Sequence, residues 1–166
     1  MAGPISDYLV ADHVRLDALL RQAARSGEVE RFPYDEFRAG LLRHIGMEEK
    51  VLLPTAKRAR GGEPLPIATQ LRRDHAALAS LLVPTPTPEI LGAIRGLLDV
   101  HNPLEEGPEG LYATCDELLA AEAGAIASKL RAAPEVPVAP HFDGPRVREH
   151  VRTLLSAARG RSPRSP

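Results

Sequence analysis

Cysteine is all but missing from this 166-residue chain, in which Cys115 stands alone. One thiol closes no internal disulfide, and a structural zinc site would ordinarily draw on several cysteines. An excess of charge of one sign is missing too. With 21 basic and 22 acidic residues the formal net charge is -1, so no global field steers the chain toward nucleic acid or a membrane surface. No apolar run approaches the roughly 18 residues that a membrane helix needs. The opening stretch MAGPISDYLVADH has neither the basic start nor the apolar run of a signal peptide, which makes the cytoplasm the expected compartment. What is present is a composition 43% hydrophobic, enough to bury the core of one domain with a tail attached.

Proline and glycine divide the chain into blocks. From Ile5 to about Ser26, Leu9, Leu16, Leu19 and Leu20 recur at helical spacing, and the following Gly27 closes a first helix. Pro33 fits the first turn of a second, with Phe37, Leu41, Ile45, Leu52 and Leu53 at its apolar positions and RGGEPLP after Lys57 to end it. Residues 67–82, IATQLRRDHAALASLL, form a third block, stopped by the stiff, extended VPTPTP. A fourth opens near Glu89, is disturbed at Pro103 and at GPEG, and resumes through LYATCDELLAAEAGAIASKLRA, which predicts one long, bent helix.

Composition changes after Ala133. Residues 1–130 read as a helical body, 131–145 as a proline-rich linker, and 146–166 as a basic amphipathic helix with a disordered end. Val147, Val151, Leu154 and Leu155 make a narrow apolar stripe, suited to docking on the body or on a second copy as a homodimer. The arginines around it have no companion feature that would make them a nucleic-acid arm.

An internal repeat carries the first functional signal. ADHVRLDALL in the first block matches RDHAALASLL in the third, and HIGMEE in the second matches HNPLEE in the fourth. The unit is Asp-His on one helix, then His-x-x-x-Glu-Glu on the next. Two such hairpins in an all-α four-helix bundle bring His13, His44, His75 and His101 toward one axis. At about 100° and about 1.5 Å per residue, positions i and i+4 share a helix face, so His44 with Glu48, and His101 with Glu105, can each reach one metal centre. Glu49 and Glu106 point roughly 140° away from their histidines and read as outer support or surface, although a kink at Pro103 would rotate Glu106 inward.

A lone helical histidine beside leucines is ordinarily hydrogen-bonded or half-exposed, and His141 and His150 are read that way. Four in register across a repeat are different. Buried, unpaired carboxylates in such apolar surroundings are costly, and a shared cation removes that cost. Asp12 and Asp74, each just before a histidine, read as solvent-facing or outer groups. Asp17, four residues after His13, suits either a ligand role or a pair with Arg21; Cys115 reads as a small core residue. Neutral imidazoles with carboxylates suit iron, manganese or zinc. Four histidines and two glutamates suffice for two bridged metals, and the Glu-x-x-His spacing of ferritin-type bundles is absent.

From about Ile5 to Ala125 the chain resembles the hemerythrin-like, HHE cation-binding domain family: DH in the first helix, HIGMEEKVLLP in the second, DH in the third, and HNPLEE followed by LY in the fourth. The resemblance implies an up-down-up-down four-helix bundle, here with an additional C-terminal helix, around a non-haem di-iron centre. His13, His44, His75 and His101 would be terminal ligands, with Glu48 and Glu105 bridging. Two departures accompany it. Oxygen-carrying members have a further histidine where this chain has Ala79, and an aspartate where it has Glu106, which keeps Glu106 and Asp17 as alternate ligands. The expected function is binding or sensing dioxygen or a related small oxidant, or handling iron. A di-iron enzyme acting on peroxide or nitric oxide, and a partner-binding module with a structural metal, are the other readings.

Overall fold

Pro4, with no N–H to lose at a helix start, opens α1 (Pro4–Ala23). The cap comes from far along the chain. The Asp116 carboxylate accepts from Ile5 N at 3.0 Å, Ser6 N at 2.9 Å and Ser6 Oγ at 2.6 Å, placing negative charge where free N–H groups favour it. Helix α2 (Arg31–Met47) runs into a π-helical stretch, Glu48–Leu52, and on through α3 (Leu53–Ala59). Pro54 supplies the reason: it has no N–H for the Lys50 carbonyl and its ring crowds that oxygen, so the helix widens and Leu53 N donates to Glu48 O. Next come α4 (Ala68–Leu81) and α5 (Pro88–Glu106), the latter capped by Thr87 accepting from Ile90 N at 3.2 Å.

The long bent helix expected after Glu89 is instead three helices: α5, α6 (Leu111–Leu118) and α7 (Ala123–Arg131). Pro103 is carried inside α5 without ending it. The break falls at Gly107, whose N–H bonds back to Pro103 O at 3.1 Å, and at Gly110, where a Cβ would stand 2.6 Å from the Glu105 carbonyl oxygen. Only glycine lets the chain double back this closely on α5.

This computed structural model describes residues 2–160, among which there are helices and no strand. Two apolar layers form. One gathers Ile5, Leu9, Met47, Leu52, Leu71, Leu111 and Tyr112. The other gathers Leu16, Leu20, Phe37, Leu41, Leu78 and Ile94. Four helices pass from one layer to the other, and each carries a histidine where it crosses: His13 between Leu9 and Leu16, His44 between Leu41 and Met47, His75 between Leu71 and Leu78, and His101 between Ile94 and Leu104. A polar floor is thereby set inside an apolar body.

The last helix, α8 (Pro145–Gly160), lies against α4 and α5 and lays Val147, Val151, Leu154 and Leu155 on the second layer. Its stripe is covered by the chain's own body. The linker before it is pinned. Arg38 donates from Nε to Leu82 O at 2.7 Å and from Nη1 to Ala139 O at 2.8 Å, and Asp143 accepts from Thr85 N at 2.9 Å. The end expected to be disordered, 161–166, lies outside the described residues. No helix among those described is long and apolar enough to cross a membrane.

The remote cap gives a first test. Asp116→Ala is expected to lower the stability of the metal-free protein by about 1–2 kcal/mol, read as an earlier midpoint in urea unfolding.

Candidate metal centre

Because α1, α2, α4 and α5 each turn a histidine toward the same interior, the Nε2 atoms of all four converge on Glu48 and Glu105. Both carboxylates have no exposed surface, and His44, His75 and His101 are 2% exposed. Glu48 divides its oxygens, with Oε1 at 3.3 Å from His44 Nε2 and Oε2 at 3.1 Å from His75 Nε2. Glu105 does the same: Oε1 is 2.9 Å from His101 Nε2 and 3.5 Å from His75 Nε2, and Oε2 is 3.4 Å from His13 Nε2. The donors fall into two groups that could each hold a metal ion, His13–His44–Glu48–Glu105 and His75–His101–Glu105, each with its ligand atoms within 4.8 Å of one another. Glu105 belongs to both.

The outer nitrogen of every one of these histidines meets a carboxylate. His44 Nδ1 lies 2.8 Å from Asp12, His101 Nδ1 3.0 Å from Asp74, His75 Nδ1 2.9 Å from Glu49 and His13 Nδ1 2.5 Å from Glu106. The pattern repeats with the sequence. Each Asp holds the histidine of the next helix in its own hairpin, and each second Glu holds the first histidine of the other hairpin. A carboxylate on Nδ1 fixes the ring's orientation and leaves Nε2 to face inward as the donor. Asp12 and Asp74 are therefore neither ligands nor free surface groups. Glu106, the alternate ligand, is engaged with His13 from outside, and Asp17 pairs with Arg21 at 2.8 Å and with Arg95. Neither belongs to the two donor groups. Cys115 is wholly buried in the first layer, and burial pushes its thiol up to about 12, as expected of a core residue.

One residue of the site was not singled out from sequence. The Tyr112 hydroxyl donates to Glu48 Oε1 at 2.6 Å and lies 3.2 Å from Glu105 Oε2, 3.1 Å from His13 Nε2 and 3.2 Å from His44 Nε2. It sits among the donors of the first group, delivered there by the Gly107–Gly110 reversal. The available signals were the LY of the family resemblance, which is Leu111 and Tyr112, and a tyrosine in an apolar stripe, whose hydroxyl needs a buried partner.

Among the metal-donor residues, three buried atoms have no hydrogen bond: Glu48 Oε2, His75 Nε2 and Glu105 Oε1. His75 Nε2 lies 3.1 Å from the first of these oxygens and 3.5 Å from the second, yet is aligned as donor to neither. All three face the second group, where a cation would satisfy them together. The residues fit a bound metal.

Electrostatics agree on what a cation must displace. Burial opposes charge on His44, but the Glu48 charge and the Asp12 hydrogen bond outweigh it and push the imidazole up to about 10. Against the same burial, the close Glu105 and Glu48 carboxylates raise His75 to about 10, and Glu105 with Asp74 raises His101. Burial opposes the charged form of the two glutamates as well, yet the histidines hold Glu105 well below the usual carboxylate range and lower Glu48. Burial and both glutamates drive the Tyr112 phenol well above its ordinary range. The metal-free site thus favours protons on His44 and His75.

Two outcomes follow. His44 and His75, raised when folded, stabilise the metal-free protein fully below about pH 6.5 and lose that contribution as pH climbs to about 10. A metal must release those protons, so its affinity should rise steadily over the same window, measured by calorimetric titration in buffers of differing ionisation heat; a flat profile contradicts this. Secondly, Asp12→Asn and Asp74→Asn should each weaken metal binding about 10–100-fold while leaving the helix content unchanged by circular dichroism. No protein-family model, no curated protein and no solved structure matches the chain, so its residues and their geometry carry the functional conclusion.

Proposed function

We propose that this chain is a hemerythrin-like protein that holds two non-haem irons and uses them to bind or sense dioxygen or a related small oxidant. The observation that carries the reading is the shared carboxylate: Glu105 presents one oxygen to His101 and His75 and the other to His13. The two oxygens serve different donor groups, so two ions can share this carboxylate where a single ion would use only one of the groups. One iron would be held by His13 and His44, the other by His75 and His101, with Glu48 and Glu105 shared between them. The helices α1, α2, α4 and α5 would form the up-down-up-down bundle, with manganese or zinc able to replace iron in the same donors.

Bound iron would supply two electrons and a position for a small oxidant. The chain supplies the rest. Neutral Nε2 donors, each backed by a carboxylate, keep the reduced centre electron-rich. Nitrogen and oxygen donors without thiolate suit iron in preference to a purely structural zinc. Leucines on both sides exclude water, and Tyr112 Oη holds a proton 2.6 Å from Glu48 Oε1. That proton gives a second reading a specific footing: an enzyme acting on peroxide, with Tyr112 passing a proton to the centre through Glu48.

The test begins with iron(II) loading in the absence of oxygen and a metal count, followed by air and ultraviolet-visible spectra. Two irons per chain and a charge-transfer band that disappears on removing oxygen are expected. Irreversible oxidation with peroxide consumption, abolished by Tyr112→Phe, would favour the enzyme. Retention of no iron would remove both readings.

A further inference from the structure

On the side of the site that Tyr112 does not line, the four histidines open onto a cavity of about 50 Å³. Its walls are Leu16, Leu41, Ile45, Leu78 and Leu98, and it holds roughly two to four non-hydrogen atoms at most. Between the histidines and Glu105 at its inner end and the charged residues at its outer end, one further polar group faces this space. Asn102 lines it, and its buried side-chain oxygen has no hydrogen-bond partner. The outer end is bounded by Asp17 of α1 with Arg95 and Asp99 of α5. Arg95 closes it by pairing through Nη1 with Asp17, whose other oxygen accepts from Arg21 at 2.8 Å.

That closure is built to open. The Arg95 and Asp17 side chains are about one third exposed, so water competes for the pair and its net strength is modest. Arg95 also borders a second, surface cavity of about 270 Å³, lined by Leu20, Gly27, Glu28, Pro88 and Leu91. The guanidinium has room there to swing outward, with Glu28 as another carboxylate beside it. No comparable reserve exists for the leucines further in, which are packed in the second layer.

We propose that the Arg95–Asp17 pair is the gate to the metal centre, and that the cavity behind it admits an uncharged molecule of up to about four atoms, oriented by Asn102. This rests on the metal-binding reading for its purpose, while the gate itself is a property of the chain. Charge sets the class of ligand. The mouth places Arg95 and Arg21 against Asp17 and Asp99, a balanced set that attracts neither sign, and an ion passing Leu16, Leu41 and Leu98 would lose hydration that these apolar walls do not replace. An uncharged oxidant pays no such cost.

Two measurements separate the gate from the function it serves. In the iron(II)-loaded protein, stopped-flow mixing with nitric oxide should show association and dissociation both about five- to tenfold faster in Arg95→Ala and Asp17→Asn, with affinity and metal content unchanged. Arg21→Ala, which leaves Arg95 on Asp17, should behave as the parent. In the metal-free protein, xenon exchange followed by nuclear magnetic resonance should accelerate in the same two variants. Azide, added to the oxidised iron form, should associate in proportion to its neutral acid and so slow as pH rises. Unchanged nitric oxide and xenon rates in both variants would overturn the gate, and azide association independent of pH would overturn the ligand class. Gated xenon exchange in a protein that retains no metal would leave the gate standing and remove the metal-binding reading instead.

Discussion

Two glutamates buried without any exposed surface, between two layers of leucine, are the constraint on which the molecule turns. Removing a carboxylate from water costs several kcal/mol even after relaxation, and an unpaired one would unfold a domain of ordinary stability. Everything around Glu48 and Glu105 answers that cost. Four histidines face them, a phenol donates to one of them, and four further carboxylates stand behind the histidines. With no cation, protons on His44 and His75 supply the balance; with cations, the metals would. The same donors serve both states, which explains how such a polar cluster survives inside an apolar body.

The outer carboxylates show how the duplicated sequence becomes one site. If each hairpin held only its own histidines, two halves could drift apart without loss. Instead Glu49 of the first hairpin holds His75 of the second, and Glu106 of the second holds His13 of the first. The ring of contacts closes only when the two hairpins are docked. Coupling of this kind ties donor geometry to the docking of α1 and α2 on α4 and α5, and so to the two apolar layers that drive it.

The inner ligand candidates were readable because helical periodicity is a local property. His44 with Glu48 and His101 with Glu105 share a face by spacing alone, and the repeat put the four histidines in register. The outer pairing was not readable. Whether Asp12 meets water or His44 depends on the distance between α1 and α2, which no spacing within one helix determines. Tyr112 escaped for the same reason: it reaches Glu48 from another element, after a reversal that hinges on Gly110 lying against the Glu105 carbonyl. The run after Glu89 read as one helix because its residues favour helix, and the close approach that breaks it is a tertiary fact. The widened turn at Glu48–Leu52 has its cause in Pro54, inside a block that read as one uninterrupted helix.

The central claim is that Glu48 and Glu105 join two metal ions held by two histidine pairs. Crystals of iron-loaded protein measured at the iron absorption edge test it most directly. The account predicts two anomalous peaks per chain, one beside His13 and His44 and the other beside His75 and His101, with Glu105 reaching both. A single peak, or iron bound elsewhere on the chain while the interior holds none, would contradict it.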